Sequence, residues 1–320
     1  MAAHLRDDRL RYTGAIRPNF QAAFLAPKYW TDWLLAGLIA LCLLIPRSWA
    51  MAFGKRIGNT FFRVNKKRVA IARLNLEWCF PDLDPADRER ILRTHFARYG
   101  QAIVDMGLVW WGSRRRIEAL CELKGSEELM RRIHSGERIL LVIPHVVGVD
   151  IAGAVLSRIA RGVSMMKTPS NPLLNFLLVK GRTRFGAIIV SRDHGLRPLI
   201  KAMRTGCVGY LMPDEDLAQA QSIFVPFFGI PTATLPVVGR LAKLAEATVI
   251  PMYCALNENS RYVVSIGQPL EQFPSDNPHT DAARINTEFE SFIRQDPAQY
   301  LWTLRWFRSR PDAAPSPYDV

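Results

Sequence analysis

The stretch ILLVIPHVVGVD, residues 139–150, decides how this chain is read. Its first five residues, Ile139 to Ile143, are all apolar and read as a strand buried on both faces, as in a parallel sheet. Pro144 has no N–H to give to a ladder, so it closes the strand. His145 follows at once and Asp150 comes five residues later, an H-x4-D pattern at the carboxyl end of a buried strand. Open α/β sheets carry their chemistry at that end. With His145 in the loop and Asp150 in the first turn beyond it, the carboxylate can reach one ring nitrogen. That contact fixes the tautomer and leaves the other nitrogen as a base. No serine or cysteine lies between the two, which leaves the nucleophile to the substrate. A histidine and an aspartate so spaced also occur as plain structure, and the rest of the chain has to decide.

Downstream, helical and strand patterns alternate. Helices are expected at about 150–160, 172–185, 196–203 and 234–245, the last with Thr234 as N-cap. Strands are expected at 163–166, 187–190, 208–212, 248–254 and 262–266. Upstream, helices are expected at 85–108 and 126–134; two more, at about 280–294 and 297–307, close the chain. This is an α/β fold with a mostly parallel central sheet flanked by helices. The expected organisation is an N-terminal segment over 1–54, one α/β domain over 55–310, and an unstructured, proline-rich tail over 311–320.

The 320 residues carry a net charge of +13 and a pI near 9.9, which calls for an anionic partner: nucleic acid, anionic lipid or an acidic protein. The five cysteines are scattered without a CxxC pair, against both a disulfide frame and a zinc ribbon. Residues 33–46, WLLAGLIALCLLIP, run for fourteen positions without a charge. A membrane span needs about 20 apolar residues. Extension to residue 53 supplies the length if Arg47 snorkels to the headgroups. Trp30, Trp33 and Trp49 fall where interfacial aromatics belong. A buried core helix is the alternative; the expectation is a membrane anchor at about 33–53, spanning or half-inserted. Between residues 55 and 73 stand seven basic residues and no acidic one, a composition drawn to anionic lipid.

Further clusters punctuate the α/β region. Arg182 and Arg184 suit bidentate phosphate or carboxylate binding, or a helix C-terminus. Asp214, Glu215 and Asp216 follow a strand and can hold a metal or an arginine, or end the strand in water. FVPFFG, residues 224–229, reads as core or as the wall of an acyl groove. Trp302, Arg305, Trp306, Phe307, Arg308 and Arg310 interleave aromatics with cations, as for stacking on nucleotides or, beside an anchor, for headgroups.

The N-terminal apolar segment is joined by RLNLEWCFP (73–81), PHVVGVD (144–150), NPLLNFLL (171–178), RTRFG (182–186), PDED (213–216), FVPFFG, ATLPVVGRL (233–241) and QYLWTLRWFRSRP (299–311). In that order they make the chain resemble the late (secondary) acyltransferases of lipid A biosynthesis, within the lysophospholipid acyltransferase superfamily. PHVVGVD and ATLPVVGRL lean towards the myristoyl-type branch. The resemblance implies a Gram-negative inner-membrane enzyme with its site on the cytoplasmic face. It would move a fatty acyl group from acyl carrier protein to a hydroxyacyl chain of a Kdo-lipid A precursor. His145 matches the general base and Asp150 its acidic partner, where many members carry Glu. Arg182, Arg184, Asp214, Asp216 and Arg240 are the substrate-binding candidates. The implied partners are acyl carrier protein, the lipid A precursor and inner-membrane lipids, with no metal, no cofactor and no nucleic acid. Two other readings stand beside it: an acyltransferase for glycerolipid or another lysolipid, and a non-enzymatic membrane- or nucleic-acid-binding protein.

Overall fold

A computed structural model describes residues 14–218 and 220–319. The start of the expected N-terminal segment, with Arg6, Arg9 and Arg11, lies outside the described residues.

Among the described residues five α-helices precede the first strand: α1 (Trp30–Leu41), α2 (Arg47–Val64), α3 (Lys66–Cys79), α4 (Pro85–Trp111) and α5 (Arg114–Ala119). Then β1 (Cys121–Lys124) and α6 (Ser126–His134) lead into β2 (Arg138–Val142), the strand on which the sequence reading turns. The alternation continues through α7 (Val149–Leu156), β3 (Gly162–Met166), α8 (Pro172–Thr183), β4 (Ile188–Ser191), α9 (Arg197–Arg204) and β5 (Val208–Leu211). A hairpin, β6 (Ile223–Phe227) and β7 (Ile230–Thr234), precedes α10 (Val237–Ala245), β8 (Ala247–Leu256), β9 (Tyr262–Ile266) and α11 (Pro278–Gln295).

The main sheet has seven strands in the order β1-β9-β8-β2-β5-β3-β4, with every pair parallel except β8–β9. The chain steps from β2 to β3 to β4 towards one edge, then back through β5 to β8. Right-handed crossovers therefore put α7 and α8 on one face of the sheet and α9 and α10 on the other. Side-chain direction agrees: Leu141 lines a cavity under α7, whereas Leu140 and Met203 of α9 meet over Gly209. On the α7 side, α4 packs against α7 and α8 and carries α1 and α2. Helix boundaries follow local chemistry. Asp84 caps α4 ahead of Pro85, and Asn171 caps α8 ahead of Pro172 with its side chain on two backbone N–H groups. Where α2 crosses α4, Gly54, Gly58 and Gly100 let the two backbones touch; a Cβ on Gly58 would collide with the Phe96 carbonyl oxygen.

Several expectations are corrected, and one open alternative is settled. The apolar run is no single anchor helix: α1 ends at Leu41, a turn follows, and Pro46 starts α2 afresh. Among the described residues no helix is long and apolar enough to cross a membrane. Arg47 does not snorkel, because its guanidinium holds Asp105 and the Ser260 carbonyl. Thr234 ends a strand rather than capping a helix, and FVPFFG folds as the hairpin. Phe228 and Gly229 both take positive φ at its tip (50° and 75°), as a type I′ turn requires. Phe227 and Phe228 pack against Tyr300 and Trp302 and Val225 is buried with them, so the core alternative holds for these three while Phe224 stays exposed. The expected helix at 297–307 is one 3-10 turn, Pro297–Gln299, followed by irregular chain that buries Trp302, Trp306 and Phe307. The tail is tied down at Tyr318, whose hydroxyl accepts from the Phe307 N–H and bonds the Asn75 side chain.

Candidate active site

Strands β2 and β5 are neighbours in register, Val142 opposite Leu211. Three residues beyond each pairing partner stand His145 and Asp214, at the same edge of the sheet. The Asp214 carboxylate grips the histidine at two points. Its Oδ1 accepts from ring Nδ1 at 2.6 Å and its Oδ2 from the His145 backbone N–H at 2.8 Å. The Tyr300 hydroxyl donates to Oδ2 as well, at 3.1 Å. With Nδ1 donating, Nε2 keeps its lone pair and has no protein partner among the described residues. Burial pushes the imidazolium down, but the Asp214 charge and hydrogen bond, helped by Glu215, outweigh it and raise the His145 pKa. Burial beside the same carboxylate keeps Tyr300 protonated as a donor.

The loop that carries His145 is clamped by the C-terminal segment. Val147 donates to the Gln299 carbonyl, and Leu301 donates to the His145 carbonyl. Trp306 stacks on Tyr300 and lies 5.9 Å from the His145 ring. Trp306, one of the aromatics that sequence reading assigned to headgroups, thus walls the histidine from behind.

Asp150 is not the histidine's partner, which corrects the H-x4-D expectation. In the first turn of α7 it meets the fork of Arg182, accepting from Nε at 2.6 Å and from Nη2 at 3.2 Å. Arg182 is thereby committed to the protein. Arg184 is committed too: it donates to the carbonyls of Leu108, Val109 and Gly112 at the end of α4, the helix C-terminal role weighed for it. Asp216 accepts from the backbone and hydroxyl of Ser309 and from the Ala218 N–H, so it fastens the C-terminal segment instead of a ligand. Glu215 accepts from Arg192. The three adjacent carboxylates therefore turn to three different partners, and among the described residues no acidic or histidine cluster could hold a metal.

Of the substrate-binding candidates, Arg240 is the one that reaches the pocket in front of His145. Arg192, Met165, Met212 and Val237 line it as well. Met212 also borders the narrow apolar cavity beneath α7, so the two spaces share a wall. This cavity extends along β5 from Met212 to Val208, four strand steps or about 13 Å. It exists because α7 and the turn after it present small side chains there, Gly153, Ala154, Ser157 and Ala160, where a filled interface would carry branched ones. The Asp150–Arg182 pair and Tyr210 stand at its upper end.

Sequence reading missed Asp214 as the histidine's holder, Tyr300 and Arg192. The PDED run was the available signal, but which strand lies beside β2 is not written in either segment.

Comparison with known proteins comes to one family. The model of the bacterial lipid A biosynthesis acyltransferases matches residues 17–309. A lipid A biosynthesis acyltransferase of Haemophilus influenzae is 33% identical over 307 residues, covering 95% of this chain and 96% of the relative. The lipid A biosynthesis myristoyltransferase of Escherichia coli is 30% identical over 303 residues, 94% of each chain. The lauroyltransferase of the same organism is 31% identical over 304 residues, 94% of this chain and 98% of the relative. Identities this close do not separate the myristoyl from the lauroyl branch.

Proposed function

The chain belongs to the bacterial lipid A biosynthesis acyltransferases, and we propose that it transfers a fatty acyl group from acyl carrier protein to a hydroxyl on a hydroxyacyl chain of a Kdo-lipid A precursor. That it is an acyltransferase follows from the family.

His145 Nε2 takes the proton from the acceptor hydroxyl, whose oxygen attacks the thioester carbonyl. The C–O bond forms, the C–S bond breaks, and the departing thiolate takes the proton back from the imidazolium. Asp214 holds the ring in the required tautomer and steadies its charged form. Arg192 and Arg240 supply positive charge where the acceptor's phosphates and the developing oxyanion would lie. The cavity beneath α7 takes the acyl chain. Asp150 and Arg182 hold α7 against α8 at its mouth, a positioning role.

The observation that carries this reading is the Asp214 grip on His145, which leaves a bare Nε2 over a pocket sharing Met212 with an apolar cavity. The site works at the cytoplasmic face of the inner membrane. Exposed Leu34, Leu35, Leu38, Leu41 and Leu44, with Trp30, Trp49 and Phe53, make a ridge suited to half-insertion. Mass spectrometry of lipid A from cells without the gene tests the reading. One acyl mass should vanish and return with the wild type but not with His145→Ala. Lipid A unchanged by the deletion would overturn it.

A further inference from the structure

Helices α9 and α10 pack side by side on the face of the sheet opposite α7 and α8. Their N-terminal ends form part of the pocket lip: Gly195 and Leu196 lead into α9, Pro236 and Val237 begin α10. Between them they expose five cations, Arg197, Lys201 and Arg204 on α9 and Arg240 and Lys243 on α10. Neither helix contains a carboxylate. Arg197, Lys201 and Arg204 follow i, i+4, i+7 and make a single stripe. Of the carboxylates nearby, Glu215 is paired with Arg192 and Glu246 with Arg138, while Asp193, bonded to the Ser191 hydroxyl, is a single exposed charge ahead of α9. Asp276 is fully exposed and only 3.8 Å from Lys243, a contact of little energetic weight.

We propose that the α9–α10 face is the docking surface for the acidic carrier protein that delivers the acyl thioester. The inference rests on the donor reading above and says where that donor lands. A rigid basic face continuous with the mouth of the reaction pocket suits a small anionic protein that must thread a prosthetic arm to His145. Charge complementarity of this kind raises encounter rates and falls with salt. Lipid is the competing anion, and the layer order argues against it. The apolar ridge of α1 sits on the α7–α8 side, tied there by the Asp32–Asn171 hydrogen bond and the Phe24–Phe176 contact. With that ridge in a bilayer, the sheet stands between the membrane and α9–α10, which faces water.

The test is Arg197→Glu/Lys201→Glu/Lys243→Glu, assayed with one acyl group presented on carrier protein and on free pantetheine. Arg240 is left intact because it lines the pocket. The expected result is a loss of tenfold or more in kcat/KM for the carrier-bound donor, carried by KM, with a flattened salt dependence. Turnover of the acyl-pantetheine should stay at the wild-type level, which also reports an intact fold. A triple variant that uses the carrier-bound donor as the wild type does would overturn the surface. So would an equal loss with both donors, since the substitutions would then act on the site. Loss of binding to anionic vesicles, with carrier kinetics unchanged, would assign the face to lipid. Should the wild type itself show no preference for carrier over pantetheine at low salt, the donor reading fails, whatever the variant does.

Discussion

Asp214 holds His145 by both ring and backbone, its two oxygens accepting from Nδ1 and from the main-chain N–H of the same residue. A two-point grip fixes the ring's position as well as its tautomer. Replacing His145 by Ala should lower the transfer rate by about 10²–10⁴, the usual range for a general base. Asp214→Asn should also lose rate, in the same assay, because the ring then has no charge to hold its tautomer.

The pH profile carries a second signature of this pair. Asp214 raises the pKa of His145 against the opposing effect of burial, and the base form is the active one. The acidic limb of kcat/KM should therefore lie on the high side of the ordinary imidazole value and move to lower pH in Asp214→Asn. For stability the sign runs the other way. The protonated ring favours the fold, a contribution complete below about pH 6.5 and lost as pH rises through the native value. A limb that stayed put in the variant would exclude Asp214 as the cause.

Breaking the Asp150–Arg182 pair should destabilise more than removing it. Asp150→Ala leaves a partly buried guanidinium without its carboxylate and should cost about 1–3 kcal/mol, less than single deletions from fully buried pairs. The double variant Asp150→Leu/Arg182→Met should recover part of that loss. Urea midpoints of the two singles and the double would measure the coupling.

The cavity under α7 should set the acyl chain accepted. A Cβ on Gly153 has open space, its nearest neighbour being Tyr210 at 3.8 Å, so a larger side chain would fill the cavity without forcing the helix apart. Gly153→Leu should shift preference towards shorter donors in a competition assay read by mass spectrometry. Unaltered preference would mean the chain lies elsewhere.

Charges placed on the ridge should release the protein from lipid. Leu34→Glu/Leu38→Glu should weaken vesicle co-sedimentation at least roughly tenfold, since each leucine contributes ~1.5 kcal/mol or more when buried. The thermal midpoint should stay at the wild-type value, since both leucines are exposed in the folded chain.

The parts of this molecule legible in its sequence are those that depend on neighbours in the chain. Five apolar residues and a proline marked β2, and capping residues marked the starts of α4 and α8. Partnerships across the sheet were not legible. His145 and Asp150 are close in sequence, yet strand order gives the histidine to Asp214, 69 positions away. The spacing of Asp150 was read for the ring and serves the guanidinium of Arg182. Residues 302–310 looked exposed because cations interrupt the aromatics. In irregular chain no period links the two sets, and Trp306 turns inward while Arg308 turns out.

Tyr300 reaches back 86 positions to Asp214, and Ser309 reaches back 93 to Asp216. During synthesis, a nascent chain that has already released β2 and β5 holds His145 and Asp214 but neither Tyr300 nor Trp306. Its histidine loop has no clamp and its carboxylate lacks one donor. Completion of the histidine site is therefore a late event in the life of each molecule, reached when the C-terminal segment closes on it. Until then the chain carries its exposed α1 leucines but not a finished histidine site.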